Sequence, residues 1–243
     1  MYSLFKKEIS VFFGSLSGYV VIGIFLLSNG LFLWIFENDM NVLDSGYSSL
    51  SGMFDLAPWV FLFLVPAISM RMFADEAKSG TLELLLTHPL TDLQIVLAKY
   101  LAGVVLILCS LLPTLVYFFS VYALGDPIGN IDTGGTWGSF IGLFFLASLY
   151  SSISVFASAL TENQIISFLV GMFLCFFFYM GFDYISSVGT LKPFQNTMVQ
   201  LGINEHYQSM SRGVIDTRDM FYFLSVVGLF IYATVQTLTI RRK

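Results

Sequence analysis

Six stretches of this chain, residues 18–36, 56–73, 97–124, 137–160, 165–182 and 220–240, are almost wholly apolar. Each runs for the roughly 20 residues that a helix needs to cross the hydrocarbon core of a bilayer. In lipid only helices and closed barrels satisfy every backbone N–H and C=O internally. The pattern predicts an all-α integral membrane fold with six transmembrane helices. Only 11% of the 243 residues are charged, against about 25% in soluble domains, too few to cover a water-exposed globule. Pro58 and Pro66 interrupt the second stretch and Pro113 the third, where a kink is expected. Prolines are tolerated there because neighbouring helices can satisfy the freed carbonyls. With no internal repeat or low-complexity tract, residues 1–243 read as a single membrane domain.

Basic residues orient the spans. An even number puts both termini on one side, together with Lys6, Lys7, Arg71, Lys78, Lys99, Arg241, Arg242 and Lys243. The opposite side carries Lys192, Arg212 and Arg218, all within residues 183–219, while residues 37–55 and 125–136 hold no Lys or Arg. By the positive-inside rule both termini are expected to be cytoplasmic in a multi-pass membrane protein. Arg71 and Lys99 fall at cytoplasmic helix ends, where snorkelling is expected. Trp34, Trp59 and Trp137 fall near outer helix ends and fit an aromatic belt.

Residues 1–13 form a different element. Phe5, Ile9, Phe12 and Phe13 fall on one helical face, with Ser3, Lys6, Lys7 and Ser10 elsewhere on the wheel. This suits a helix lying in the membrane interface, its lysines near anionic headgroups. Gly14-Ser15 and Ser17-Gly18 permit the turn into the first span. A signal peptide is not expected, since the apolar run is too long and no small-residue cleavage site follows.

The central turns of the six stretches contain no Asp, Glu, Lys, Arg or His. Ion- or proton-driven transport usually needs a titratable group at mid-depth, so the energy source is expected outside these helices. The chain has no phosphate-binding loop, no H-E-x-x-H and no G-x-S-x-G. Catalysis by this chain alone is not expected, nor is a metal or cofactor site. Cys109 and Cys175 lie inside apolar runs and read as small hydrophobes. Membrane lipid is an expected partner and nucleic acid is not. In the fourth stretch Gly138 and Gly142 form G-x-x-x-G, continued by Ser148, Ser151, Ser152, Ser154, Ala157 and Ser158. Such a seam lets backbones approach closely, within one bundle or at a subunit interface.

The densest chemistry lies at residues 74–92, between the second and third stretches. Ser79 or Gly80 starts a short helix with Glu83 near its positive end, and Pro89 stops it. Thr91 as N-cap with Gln94 three residues on makes a capping box for the next helix, and Leu90 with Ile95 a hydrophobic staple. Two short rigid pieces joined at His88-Pro89 could carry a partner's movement into the spans they join. An amphipathic surface helix without a partner has the same pattern.

Glu76-Ala77-Lys78-Ser79-Gly80-Thr81-Leu82-Glu83-Leu84-Leu85, with Pro89 and Lys99 after it, resembles the E-x-x-x-G-T-x-E-x-L-L signature of type-2 ABC exporter permeases. A second match lies at His206-Tyr207-Gln208-Ser209 and at Arg212 to Asp219. Within that family the chain looks closest to the permease subunit associated with gliding motility. The resemblance implies a second permease subunit, identical or not, and separate cytoplasmic ATPase subunits that bind ATP and Mg. It implies a cytoplasmic coupling helix resting in a groove of the ATPase, built around Asp75, Glu76, Lys78, Gly80, Thr81, Glu83, Leu85 and Leu86. Residues 161–164 would be a lesser contact. It implies that residues 183–219 form a re-entrant helical loop on the extracytoplasmic side, before the last span.

Glu83 is the first choice for docking, though a carboxylate there also caps its own helix. Glu76 and Lys78 read equally as solvated loop charges. His206, Arg212, Asp216, Arg218 and Asp219 are too charged to face lipid and suit an ion-pair network holding the outer loop, with Asp219 also able to cap the last span. The function expected is ATP-driven export. The alternative is a non-transporting envelope module that uses the same conformational change for mechanical or assembly work.

Overall fold

The computed structural model describes residues 1–87, 89–186 and 195–242, so that His88 and Lys192 lie outside the described residues. Every element among them is helical. Helix α1 (Tyr2–Phe13) leads into α2 (Leu16–Trp34), and α3 (Ser51–Ser69) runs almost without a break into α4 (Arg71–Lys78). The short α5 (Thr81–Thr87) then precedes α6 (Asp92–Leu111), which continues through a 3-10 turn (Leu112–Thr114) into α7 (Leu115–Leu124). The long α8 (Thr133–Leu160) is followed by α9 (Gln164–Phe176), a π turn (Phe177–Gly181) and α10 (Phe182–Ser186). Helices α11 (Gln195–Leu201) and α12 (Ile203–Ser211) precede the last, α13 (Thr217–Arg241).

Five helical stretches are long and apolar enough to cross a membrane: Ser51–Lys78, Asp92–Leu124, Thr133–Leu160, Gln164–Ser186 and Thr217–Arg241. A sixth is counted when Tyr2–Phe13 and Gly18–Trp34, bent by 66°, are taken together. Five of the six stretches expected from the sequence are therefore long apolar helices among the described residues, and the first is one arm of a bent pair. Gly18 is required at that bend, because a Cβ there would lie 2.5 Å from the Phe12 carbonyl oxygen. The expected kink at Pro113 appears as the 3-10 turn, where Thr114 Oγ1 donates to the Leu111 carbonyl at 2.6 Å.

Helix α8 is the spine. It is the most buried of the five stretches and packs against α3, α6, α9, α12 and α13. Its small residues are what allow this. Cβ atoms built on Gly138 and Gly142 would lie 2.7 Å from the Gly213 Cα and 2.8 Å from the Met210 Cβ, while Ser139 Oγ donates to the Ser211 carbonyl at 2.7 Å. Of the two readings open for G-x-x-x-G, packing within one bundle is the one realised. At the other end Ser158 meets α4. Twenty residues separate Gly138 from Ser158, about 30 Å of helix, which is the thickness of a bilayer core. The α4–α5 elbow and the α12–α13 junction therefore sit at opposite ends of the bundle.

Breaks in the α3–α4 rod are repaired from neighbouring helices. Pro58 has no N–H to offer the Phe54 carbonyl one turn back. Tyr207 Oη of α12 donates to that carbonyl at 2.6 Å instead. Burial, with Tyr179 and Asp55 nearby, pushes the Tyr207 phenol well above its ordinary pKa, so it remains a donor. At the α3–α4 junction the Ser158 hydroxyl donates to Met70 O at 3.0 Å and accepts from Phe73 N at 3.0 Å and Ala74 N at 3.2 Å. It is inserted where the Met70–Ala74 rung of a continuous helix would be, which is a recognised cause of bending.

This repair yields a coupled prediction. Tyr207→Phe should lower stability in lipid micelles by about 1 kcal/mol. In a Pro58→Ala background, where residue 58 again supplies an N–H to Phe54, the same change should cost much less. Equal costs in both backgrounds, measured by chemical unfolding, would show that the hydroxyl is not replacing the missing donor.

Candidate functional site: the elbow between α3 and α6

Local sequence explains the turn at the elbow. Helix α4 ends at Ser79, whose hydroxyl bonds the Asp75 carbonyl at 2.8 Å, and Gly80 follows at φ +71°, a conformation that favours glycine. Helix α5 then starts at Thr81, with Glu83 in its first turn. Leu82 and Leu86 are buried, Leu85 is half-buried, and Glu83, Leu84 and Thr87 are exposed. Leu84, at 66% exposure, is an apolar side chain left uncovered on a charged loop. The expected capping box of α6 is present, with Gln94 N donating to Thr91 Oγ1 at 3.3 Å and Thr91 N to Gln94 Oε1 at 3.2 Å. Arg242, just past α13, donates to the Leu86 carbonyl and to Asp92 Oδ1 at 2.8 Å, and Thr239 Oγ1 bonds Asp92 Oδ2 at 3.1 Å. The chain is thus tied to the last span on both sides of the α5–α6 connection.

Beneath the elbow lies a charge cluster built around one buried lysine. Lys99 of α6 is 0% exposed, so it does not snorkel as its position suggested. Its Nζ lies 2.8 Å from Glu8 Oε1 of α1, 3.0 Å from Glu76 Oε2 of α4 and 2.5 Å from the Met72 carbonyl. The Glu8 and Met72 contacts are hydrogen bonds, and the Glu76 contact is an ion pair. The Phe73 ring centroid is 5.0 Å away. Lys7 of α1 reaches the other Glu76 oxygen at 2.9 Å. Two lysines and two glutamates alternate, and the cluster is neutral overall. It fastens α1, α4 and α6 together at one point, and a cleft of roughly 270 Å³ opens beside it between α1 and the α3–α4 junction. Asp75, one residue earlier, bonds Gln164 at the start of α9.

The opposite end of the bundle carries the other cluster. His206 of α12 lies with Nδ1 2.7 Å from Asp219 Oδ1 of α13 and Nε2 2.9 Å from the Gln200 carbonyl, its ring stacked on Tyr222 at 3.9 Å. Asp216 Oδ1 accepts from Arg218 N at 2.9 Å, so Asp216, not Asp219, is the N-cap of the last helix. Arg212 Nε donates to the Gln208 carbonyl at 3.2 Å, and Arg218 is exposed. In place of the ion-pair network expected here, the described residues show a single His206–Asp219 contact.

A family model described as "ABC-2 family transporter protein" matches residues 32–238. The chain belongs to the ABC-2 transporter family. A comparison with curated proteins finds no match. An ABC-2 membrane protein is the transmembrane permease component of an ABC transporter, not its ATPase, and works with an ATPase subunit at the membrane.

Within this ABC-2 permease the residues expected at the elbow divide into two sets. Lys78, Gly80, Thr81 and Glu83 lie on the exposed side, whereas Asp75, Glu76, Leu85 and Leu86 are engaged by the rest of the bundle. Glu76 is accordingly a structural anion and not a solvated loop charge. Sequence reasoning gave no part in the site to Glu8, Asp92, Ser158 and Arg242, and missed the internal role of Lys99. Only the Lys99 role had a visible signal, a lysine inside an apolar run with carboxylates elsewhere on its side of the membrane.

Removing one member of a buried charge group leaves the others uncompensated. Lys99→Met should therefore destabilise the permease by about 3–5 kcal/mol, and adding Glu8→Gln and Glu76→Gln should recover much of that loss. A single variant as stable as the parent, in chemical unfolding in mixed micelles, would show that the ammonium carries no such burden.

Proposed function

We propose that this permease subunit takes up ATP-driven motion through α5 and uses it for export. Two permeases, identical or not, stand over two cytoplasmic ATPase subunits that bind ATP and Mg. This chain binds no cofactor itself. The observation that carries the reading is the construction of α5. Its inner face is packed through Leu82 and Leu86 and its ends are fixed by the Gly80 turn and by Arg242, yet Glu83, Leu84 and Thr87 are presented outward. A helix held rigidly on one side and left with an acidic and an apolar residue on the other is suited to seat in a groove and transmit force. Thr81, Lys78 and Gly80 border the same surface, and Glu162, 3.9 Å from Arg241, extends it.

A push on α5 passes to α4, then through Glu76 and Lys99 to α6 and α1, and through Ser158 to α8. Because α8 also holds α12, movement at the elbow reaches the far end of the bundle. Among the described residues Lys99 and Asp219 are the buried charged ones. Each lies near an end of the bundle, which favours an external energy source over an ion pathway at mid-depth.

The distribution of Lys and Arg supports cytoplasmic termini, a cytoplasmic α5 and an extracytoplasmic α11–α12 loop, and the resemblance to bacterial permeases supports residence in a bacterial inner membrane. The apolar and basic faces of α1 support an interfacial position. The narrower likeness to a gliding-motility permease rests on the sequence around Glu76–Leu85 and His206–Asp219.

Glu83→Lys tests the docking role. Co-purification with the ATPase should fall by about tenfold or more, the effect of losing a contact of 1–2 kcal/mol, and transport-stimulated hydrolysis should fall with it. Arg218→Glu, at the opposite end, should leave both unchanged. Parental capture and hydrolysis in the Glu83 variant would contradict the proposal.

A further inference from the structure

Two hollows meet along α3, and neither the fold nor the docking of α5 makes use of them. The first is the cleft of roughly 270 Å³ beside the Lys99 cluster, between α1 and the α3–α4 junction. The second, of roughly 460 Å³, is lined by Trp59, Val60, Phe63, Leu64 and Ala67 of α3 together with α2 residues and Phe168 of α9. Val21 of α2 and Ala67 line both, so the hollows join into one track. From Arg71 at one end to Trp59 at the other the track follows twelve residues of nearly continuous helix, about 18 Å. The hydrocarbon core is about 30 Å thick, so the track reaches from one interface to just past the middle, the depth of one acyl chain.

The two ends differ in chemistry. The cleft carries Lys7, Arg71, Glu8, Asp75 and Glu76, whereas the groove beyond Ala67 has Ser28 as its polar residue and no charge. The carboxylates of the cleft are already held: Glu8 by Lys99, Glu76 by Lys99 and Lys7, and Asp75 by Gln164. The two cations of the wall lie outermost. Lys7 donates to Glu76 at 2.9 Å while its side chain stays 54% exposed, and Arg71 is exposed as well. In the groove Phe63 is 55% and Trp59 40% exposed, so its wall is open to the membrane. An apolar helix of a neighbouring subunit could cover the groove but would leave the charged cleft unfilled. A molecule with an anionic head and an apolar tail matches both parts.

We propose that the cleft and groove together bind one phospholipid as a resident ligand, its phosphate at Lys7 and Arg71 and one acyl chain along α3. The head is recognised by charge at the level of the interfacial α1. The chain gains affinity by burying methylenes against Phe63, Leu64 and Trp59. The lipid then bridges α1, α2 and the α3–α4 rod beside the Lys99 cluster, and it is a fixed component of the elbow, distinct from any exported molecule.

Trp59 reports on the far end of the track. In a Trp34→Phe, Trp137→Phe background Trp59 is the one tryptophan left. The full chain in non-ionic detergent micelles is titrated with phosphatidylglycerol carrying brominated acyl chains, and in parallel with diacylglycerol carrying the same chains. Quenching of Trp59 should saturate, with half-saturation at about tenfold lower mole fraction for the phospholipid, the scale of two cations on one phosphate. Lys7→Gln with Arg71→Gln should bring the phospholipid curve to that of diacylglycerol. Ala67→Phe, which blocks the join between cleft and groove, should remove saturable quenching without touching the charges. Equal curves for the two lipids in the parent, or parental quenching in Ala67→Phe, would overturn the proposal. So would the absence of quenching by either lipid in the parent, the result expected if a second permease subunit covers the groove.

Discussion

Lipid offers no hydrogen bonds, so backbone groups freed where a helix is interrupted need other partners, and along the α3–α4 rod polar side chains of other helices supply several of them. The α3–α4 rod shows the rule at successive points. Pro58 strands the Phe54 carbonyl and Tyr207 meets it; the junction at Met70 opens a rung and Ser158 fills it; Lys99 meets the Met72 carbonyl as well as two carboxylates. The first two fasten the rod to α12 and α8, and the Lys99 contacts fasten it to α6 and α1. The irregularities are thereby the places where this rod is most firmly joined to the rest.

This gives the bundle a mechanical character. Small residues let α8 lie close to its neighbours along its whole length, Gly103 of α6 facing Ser151 and Gly171 of α9 facing Ser154 and Ala157. Close-packed side chains have little room to deform singly. The elbow and the far hairpin are attached to opposite ends of that one helix. A strain applied at α5 would be shared between helices through these contacts, and the Lys99 cluster ties α1 to α4 and α6.

Much of this was legible in the sequence because lipid makes hydropathy nearly decisive. The positions of the spans, the capping box at Thr91 and Gln94, the short helix after Gly80 and the break at Pro113 all follow from local rules. Contacts that join distant segments were not legible. Lys99 reads as an interfacial lysine until Glu8 and Glu76 are brought to it from 91 and 23 residues away, and nothing local encodes that meeting. Ser158 looks like one of several interchangeable small residues, although it alone fills the Met70 rung. Asp219 and Asp216 both suit an N-cap by type, and the choice between them depends on where α12 lies. The split of the elbow residues into an outward and an inward set follows from the packing of α4, which the sequence pattern did not resolve.

The central claim is that α1, α4 and α5 move as one body when the partner ATPase acts. Spin-label distances in the assembled transporter measure this directly, using labels at the exposed positions Lys6, Thr87 and Arg218. The account predicts that the distance from 6 to 87 is the same with and without ATP, while the distance from 87 to 218 changes. A 6-to-87 distance that shifts on ATP binding while 87-to-218 stays fixed would contradict it.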